Sequence, residues 1–139
     1  MADRWSDYNR TVIAEFRAND GEVGGQLAGL PVVILTTTGA KSGQPREVPL
    51  VYDRDGDRLV VIGSKGGAPT DPDWCHNLRA HPRVTVDLAS ETFRGRAVEV
   101  TGKERERLFR AMAAWAPNVG EYQRRNDRRF PVFVIERAV

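Results

Sequence analysis

Six short segments rich in valine, isoleucine and threonine constrain the fold of this chain more than any other feature of its sequence. β-branched residues favour strands, and several of these segments are joined by turns of a few residues. Strands are predicted over residues 30–38, 46–52, 58–64, 83–88, 92–100 and 130–136. Hairpins pair neighbouring strands antiparallel, whereas parallel βαβ units need long crossovers. The sequence therefore predicts a mostly β, α+β fold, in which a six-stranded antiparallel barrel carries peripheral helices.

The second strand and the residues after it contain two signals about strand placement. Pro49 lies inside this strand, and because proline donates no ladder hydrogen bond it predicts an edge, a bulge or a ligand-facing kink. Residues 53–57 (DRDGD) are polar and contain a glycine, so they are predicted to form a hairpin turn into the third strand.

Apolar residues at helical spacing predict an amphipathic helix at the start of the chain, over residues 4–19. Glycines at positions 21, 24 and 25 end it, so residues 1–25 are taken as a leading helix and its connector. The apolar stripe consists of Trp5, Tyr8, Val12, Ile13 and Phe16. We expect this face to pack on the core, and the arginines beside it leave peripheral membrane contact open.

Capping residues predict two further helices. Asp71 is placed to cap a short helix that has Pro72 in its first turn. Thr101 and Glu104 have the spacing of a capping box and open a helix whose apolar stripe includes Trp115.

Length and composition limit the class of protein. A chain of 139 residues fits one domain, taken as residues 1–139. No apolar run approaches the roughly 20 residues of a membrane helix, and no secretory signal is visible, so we expect a cytoplasmic protein. The single Cys75 cannot form an internal disulfide. With only His76 and His81 beside it, the chain offers no closed zinc site.

The lysines are placed unusually, since the chain has 18 arginines and only three lysines. Lys41 and Lys65 each lie in a glycine-bounded loop. Glycines let backbone N–H groups approach an anion closely, and lysine adds a compact charge. We interpret the two loops as an anion cradle, although simple turns with solvated lysines are the alternative. The donors of this cradle would be Lys41, Arg46, Lys65 and the N–H groups near Gly43 and Gly67.

No local motif in the sequence carries catalysis by itself. The lysine at position 41 does not follow its glycine as a P-loop requires, and a G-x-S-x-G elbow is missing. Neither histidine has an evident carboxylate partner. These absences favour a function whose chemistry is carried by a bound cofactor, with the cradle holding its phosphate.

Three separated segments resemble the deazaflavin-dependent nitroreductase family: residues 35–46 (LTTTGAKSGQPR), 64–69 (SKGGAP) and 74–82 (WCHNLRAHP). The resemblance implies a split β-barrel related to flavin reductases and pyridoxamine phosphate oxidases. It also implies coenzyme F420, an 8-hydroxy-5-deazaflavin with a phospholactyl and polyglutamate tail. The family assigns the tail to Lys41, Ser42, Gln44 and Arg46. It assigns the deazaflavin ring to Pro49, Gly63, Ser64, Lys65, Trp74 and Asn77. Gly66 and Gly67 of the Lys65 loop are added as candidate cofactor contacts.

The same resemblance implies transfer of a hydride from the reduced cofactor to an electron-poor acceptor such as a quinone, a nitroaromatic or a conjugated carbonyl. Ser64 and Tyr122 are implied to lie near this acceptor and to hydrogen-bond its oxygen as charge develops. Two alternatives stay open: a split barrel that binds FMN, and a non-enzymatic nucleic-acid-binding module. The second would use Arg124, Arg125, Arg128 and Arg129. Related barrels often pair, so the resemblance is compatible with a homodimer, although nothing in the residues requires one.

Overall fold

A computed structural model describes residues 4–89 and 91–138, apart from the side chains of residues 4–6, 26, 66 and 117. Trp5 of the predicted stripe therefore lies outside the described side chains. The helices are α1 (Arg4–Ala18), α2 (Asp73–Ala80), α3 (Gly102–Ala113) and α4 (Pro117–Arg124). The strands are β1 (Val32–Thr38), β2 (Pro45–Val51), β3 (Asp53–Asp55), β4 (Arg58–Ile62), β5 (Arg83–Asp87), β6 (Thr92–Val100) and β7 (Val132–Arg137). Short 3-10 turns lie at Gly25–Leu27 and Lys65–Gly67.

The strands form one antiparallel sheet in the order β2-β1-β5-β6-β7-β4-β3. β2 and β3 lie at its opposite edges, yet only Tyr52 separates them in the chain. Because one residue spans only about 3.5 Å, the two edges must meet at that point. The sheet is therefore curled into a barrel, which confirms the predicted fold class.

The structure adds one short strand to the six predicted. Residues 53–55, predicted as part of a turn, form β3 and pair with β4, with Asp55 opposite Arg58. The turn contracts to the residues around Gly56, which has a φ of +62°. Neighbouring strands of this sheet run in opposite directions, and β2 and β3 lie an even number of positions apart in its order. They therefore run in the same direction and are one strand interrupted at Tyr52. Here the pairing of residues 53–55 with β4 outweighs the preference of these polar residues for a turn.

Strand direction places the two lysine loops at one end of the barrel. β1 and β4 are four positions apart in the sheet order, and strands an even number of positions apart in an antiparallel sheet run the same way. The loop with Lys41 follows the end of β1, and the loop with Lys65 follows the end of β4. Both loops therefore leave the sheet at the same end.

The core confirms that the apolar face of the leading helix packs on the sheet, although Tyr8 of the predicted stripe is exposed. Ile13 and Phe16 of α1 form a cluster with Val32 and Ile34 of β1. A second cluster combines side chains of five strands with those of α2, and a third packs α3 and α4 against β4 and β7. Trp115 was predicted to belong to the α3 stripe, but it follows the end of that helix and is exposed.

Neither predicted helix cap forms its side-chain hydrogen bond. The residue that caps α2 is Pro72, and the carboxylate of Asp71 accepts hydrogen bonds from two arginines instead. α3 begins after Thr101 as predicted, but the Thr101 side chain makes no capping bond and Glu104 pairs with Arg58. Charged partners outcompete the backbone N–H groups, because ionised hydrogen bonds are stronger. Across residues 4–89 and 91–138, no helix is both long and apolar enough to cross a membrane.

Candidate functional site

The loop between β1 and β2 is a compact turn that leaves Lys41 exposed. The Gly39 N–H donates to the Gln44 carbonyl at 2.8 Å, and the Gly43 N–H donates to the Gly39 carbonyl at 2.9 Å. The Ser42 hydroxyl accepts from the Gln44 N–H at 3.1 Å. The Gly43 N–H was expected to face an anion, but it is engaged inside the loop. The Lys41 side chain remains exposed to solvent.

Asn77 of α2 ties this loop to the helix. The residue is only 7% exposed, and its Oδ1 accepts from the Ala40 N–H at 2.9 Å. Its Nδ2 donates to the Thr37 hydroxyl at 3.1 Å. The amide oxygen therefore holds the loop of Lys41 against α2, and the amide nitrogen holds the end of β1 there. The implied contact of Asn77 with a cofactor stays a prediction.

The loop after β4 is closely packed at Gly63 and conformationally unusual at Lys65. A Cβ at Gly63 would lie 2.6 Å from the Cys75 sulfur, so a side chain does not fit there. Lys65 has a φ of +48°, a left-handed conformation that residues with side chains rarely adopt. The Gly67 N–H donates to the Ser64 carbonyl at 2.9 Å, so this N–H is also engaged within its own loop.

The guanidinium of Arg128 binds the same loop from a distant part of the chain. It donates to the carbonyls of Gly63 at 2.9 Å, Ser64 at 3.1 Å and Ala68 at 2.7 Å. The carboxylate of Asp71 accepts a further bond at 2.6 Å. The Arg128 side chain is only 14% exposed. It is therefore a structural clamp on residues 63–68.

Tyr122 of α4 packs on the other side of this loop. Its ring carbons lie 3.2 Å from the position that a Cβ on Gly67 would occupy. The Asn126 side-chain amide donates to the Gly67 carbonyl. The structure thus places Tyr122 against the turn that begins at Ser64. Tyr122 and Ser64 are the two residues expected near an acceptor. Their roles in a reaction stay predictions.

The cations of the predicted cradle are not neutralised by acids. Lys41, Arg46 and Lys65 take part in no salt bridge within the ranges 4–89 and 91–138. Arg46 instead lies 3.5 Å from the Ser42 hydroxyl. Uncompensated positive charge at one end of the barrel attracts anions.

The late arginines do not form a free basic face. Each is paired with an acidic side chain: Arg124 and Arg125 with Glu121, Arg128 with Asp71, and Arg129 with Glu106. This pairing argues against the nucleic-acid alternative, which relied on these four cations being available to phosphates.

Three further residues belong mainly to the interior. Trp74 is 6% exposed, and its ring centroid lies 5.7 Å from that of Phe133. Burial raises the pKa of the neighbouring Cys75 thiol, so this cysteine is held as the unreactive thiol. Pro49 is buried in β2 at a sheet edge, which is one of the three placements that its lack of an N–H predicted. The implied cofactor contacts of Trp74 and Pro49 stay predictions, as does that of Gly66.

A wide recess of about 1210 Å³ lies along α3 and contains none of the residues predicted to contact the cofactor or the acceptor. Its cations outnumber its acids, but four of them are already bound in ion pairs. These are Arg79, Arg105, Arg107 and Arg129. Over the described part of the chain, no group of three or more histidine, cysteine, aspartate or glutamate residues could hold a metal ion. The charge and geometry favour the lysine loops as the functional site.

Sequence reasoning missed Arg128 and Asn126 as parts of this site. Arg128 lies 65 residues from Gly63 and 57 residues from Asp71, so no local spacing links them. The excess of arginine over lysine was the only sequence signal, and it did not indicate which arginine is enclosed.

Comparisons with known proteins bear on the same site. A family model described as F420H(2)-dependent quinone reductase matches residues 8–137. An F420H(2)-dependent quinone reductase of Mycobacterium tuberculosis is 37% identical over 128 residues, which cover 89% of this chain and 86% of that protein. A solved F420-H2 dependent reductase, FDR-A, is 39% identical with a TM-score of 0.71, covering 76% of this chain and 94% of its own. A further solved structure, described as a domain-swapped dimer, is 36% identical with a TM-score of 0.72 and covers 95% of this chain and 97% of its own.

Proposed function

The chain belongs to the F420H(2)-dependent quinone reductase family, and from that membership we propose that its lysine loops hold the cofactor while Ser64 and Tyr122 orient the acceptor. The protein is accordingly an oxidoreductase that uses coenzyme F420. One observation carries the residue assignment. The loops of Lys41 and Lys65 leave the barrel at the same end; the first is hydrogen-bonded to α2 through Asn77, and the second leads into α2 along the chain.

The side chains present fit an anionic cofactor tail. Lys41 and Arg46 lie on one exposed turn, and ammonium and guanidinium groups bind phosphate and carboxylate oxygens through charge-assisted hydrogen bonds. Ser42 and Gln44 add neutral polar groups to the same turn. Because the N–H groups of the loop glycines are engaged, we propose that the tail is held chiefly by these side chains.

Reduced coenzyme F420 supplies a hydride when it is bound. Ser64 and Tyr122 each have a hydroxyl that can donate to the acceptor oxygen on which negative charge develops. Packing of the Tyr122 ring on Gly67 and the fixed turn at residues 64–67 limit the movement of both donors. Tyr122 or solvent then gives the proton that the reduced oxygen requires. The acceptor is proposed to be a small electron-poor molecule, a quinone foremost.

Flavin is the alternative ligand for a barrel of this kind, and the family favours the deazaflavin. The two are separated by the absorption spectrum of the purified protein and by fluorescence titration with each cofactor. Binding of FMN without binding of coenzyme F420 would contradict the proposal. Binding of reduced coenzyme F420, followed by its oxidation when quinones are added, is the expected result.

We also propose that the chain forms a homodimer. A relative of similar length is described as a domain-swapped dimer, and β2 presents an unpaired strand edge in this sheet. Analytical ultracentrifugation tests this, and a monomer at micromolar concentration would refute it. Peripheral membrane contact through α1 is not part of the proposal, because Val12, Ile13 and Phe16 are buried against the sheet.

Lys65→Ala tests the cradle directly. Loss of one unpaired charge is expected to raise the dissociation constant of coenzyme F420 about tenfold, which corresponds to about 1.4 kcal/mol. The melting temperature should change little, because a loop lysine has little packing to lose. Lys103→Ala is the matched control, since this lysine lies exposed on α3. Equal dissociation constants for both variants would remove Lys65 from the cofactor site.

Tyr122→Phe tests the acceptor side of the site. Phenylalanine keeps the ring that packs on Gly67, so folding and cofactor affinity should be retained. Removing one hydrogen-bond donor to a developing oxyanion is expected to slow quinone reduction on the order of 100-fold. Single-turnover oxidation of the bound cofactor measures this step, and an unchanged rate would exclude Tyr122 from it.

A further inference from the structure

We propose that Arg128 is a positioning residue for this reaction, because its guanidinium fixes the loop that carries Ser64 and Lys65. The inference rests on the proposed function, in which this loop contacts cofactor and acceptor. Arg128 is not a catalytic residue in this proposal, since its hydrogen bonds go to the protein itself.

The contacts of Arg128 account for all three of its side-chain nitrogens. Nη1 donates to the Gly63 carbonyl and to the Asp71 carboxylate, and Nη2 donates to the carbonyls of Ser64 and Ala68. Nε adds a bond of 3.2 Å to Ala68. The planar guanidinium therefore joins the start of the loop to its end, a geometry that the single nitrogen of lysine cannot reproduce.

The conformation of the loop explains why such a clamp is needed. Lys65 lies between the clamped carbonyls of Ser64 and Ala68 and has a φ of +48°. A left-handed residue with a side chain persists only where its surroundings determine it, and such residues cluster at functional sites. Without Arg128, the loop could relax at Lys65, and the side chains of Ser64 and Lys65 would then change direction together.

Arg128 also connects the two residues expected at the acceptor. Its own carbonyl accepts from the Gln123 side chain at 2.8 Å, and Gln123 follows Tyr122 directly in α4. The segment from Tyr122 to Arg128 is thereby fastened to the loop that carries Ser64. The relative position of the two hydroxyl groups should therefore depend on Arg128.

The test uses the full chain and compares Arg128→Lys with Arg129→Lys, a matched change at the exposed neighbouring arginine. Arg128→Lys is expected to increase amide hydrogen exchange at residues 64–68, to raise the dissociation constant of reduced coenzyme F420 about tenfold, and to lower kcat/KM for a quinone on the order of 100-fold. Arg129→Lys should leave all three values unchanged. If Arg128→Lys does not fold, Asp71→Asn loosens the same clamp and should show the same changes at smaller size.

A double-variant experiment separates positioning from general stability. In a Ser64→Ala background, Arg128→Lys should lower kcat/KM far less than in the wild type, because the residue it positions is already gone. Fully additive losses in the double variant would overturn the proposal, and so would unchanged hydrogen exchange at residues 64–68. If Arg128→Lys cannot fold, the proposal is overturned when Asp71→Asn has no effect. If the wild-type protein does not bind coenzyme F420, the proposed function fails and this inference fails with it. If the wild type binds and Arg128→Lys binds and turns over equally well, only the role of Arg128 is refuted.

Discussion

Replacing Asn77 with alanine should destabilise the protein more than a typical polar substitution does. The Asn77 side chain is buried and makes two hydrogen bonds, at 2.9 Å with the Ala40 N–H and at 3.1 Å with the Thr37 hydroxyl. Alanine would remove both bonds, and the buried Thr37 hydroxyl would lose the donor from which it accepts. Each buried group left without a partner costs about 1–3 kcal/mol. We therefore expect Asn77→Ala to lower the free energy of unfolding by about 2–4 kcal/mol.

Urea unfolding followed by tryptophan fluorescence measures this loss, and the denaturant slope should stay the same if only stability changes. For a domain of this size, the expected loss corresponds to a decrease in melting temperature of about 6–12 °C. Asn19→Ala is the control, because the Asn19 amide also donates to a carbonyl but lies exposed at the end of α1. That variant should lose no more than about 0.5 kcal/mol.

A cycle with Thr37→Val identifies the bond responsible. The Thr37 hydroxyl is buried and accepts from Asn77, so the two substitutions should be less than additive. A loss below about 1 kcal/mol for Asn77→Ala, or full additivity with Thr37→Val, would refute the argument. The cofactor titration of the same variant then shows whether Asn77 also acts on the ligand. A weaker affinity with a normal kcat would follow from a displaced Lys41 loop.

Three further results are expected. Gly63→Ala should lower the free energy of unfolding by about 1–3 kcal/mol, because the new Cβ would lie 2.6 Å from the Cys75 sulfur. Urea unfolding measures this loss, and an unchanged free energy would show that the contact relaxes freely. Cys75 should resist alkylation in the folded protein at pH 8, because burial raises its pKa, and modification at the rate of the unfolded chain would contradict this. The pKa of Asp55 is lowered to about 2 by hydrogen bonds from Arg107 and then Arg58, below its ordinary value near 4. The stability that Asp55 contributes is therefore present above about pH 4 and is lost as the pH falls through 2. The difference in free energy of unfolding between the wild type and Asp55→Asn should disappear over that pH range. A difference that does not depend on pH would contradict this.

Local sequence determined most of the secondary structure but not how the barrel closes. β-branched runs such as residues 32–38 have little alternative to a strand, and the apolar stripe of α1 requires a core to cover. Asp53, Arg54 and Asp55 are polar, so their propensity indicates a turn. They form β3 because β2 continues past Tyr52 and meets the edge of β4. That pairing is a property of the curled sheet as a whole.

The parts of the site that lie within one loop could be predicted from the sequence, whereas the contacts between residues far apart in the chain could not. Gly39 and Gly43 next to Lys41 specify a tight turn with an exposed cation, and the structure contains that turn. The use of the Gly43 N–H within the loop could not be foreseen, since it depends on how the turn closes. Asp71 has the position of a helix cap, but two arginines bind it more strongly. One of them, Arg128, comes from far along the chain.

Arginine and lysine have different roles in this protein, and this difference links the composition to the site. Within residues 4–89 and 91–138, salt bridges involve eleven of the arginines and none of the three lysines. Arginine has five donors in a fixed plane, so it can join several acceptors inside the protein, as Arg128 does. Lysine presents a compact charge that is easily left to solvent or to a ligand. A chain that uses arginine for internal connections and keeps lysine at two glycine-bounded turns separates the cations that hold the fold from those free to bind an anion.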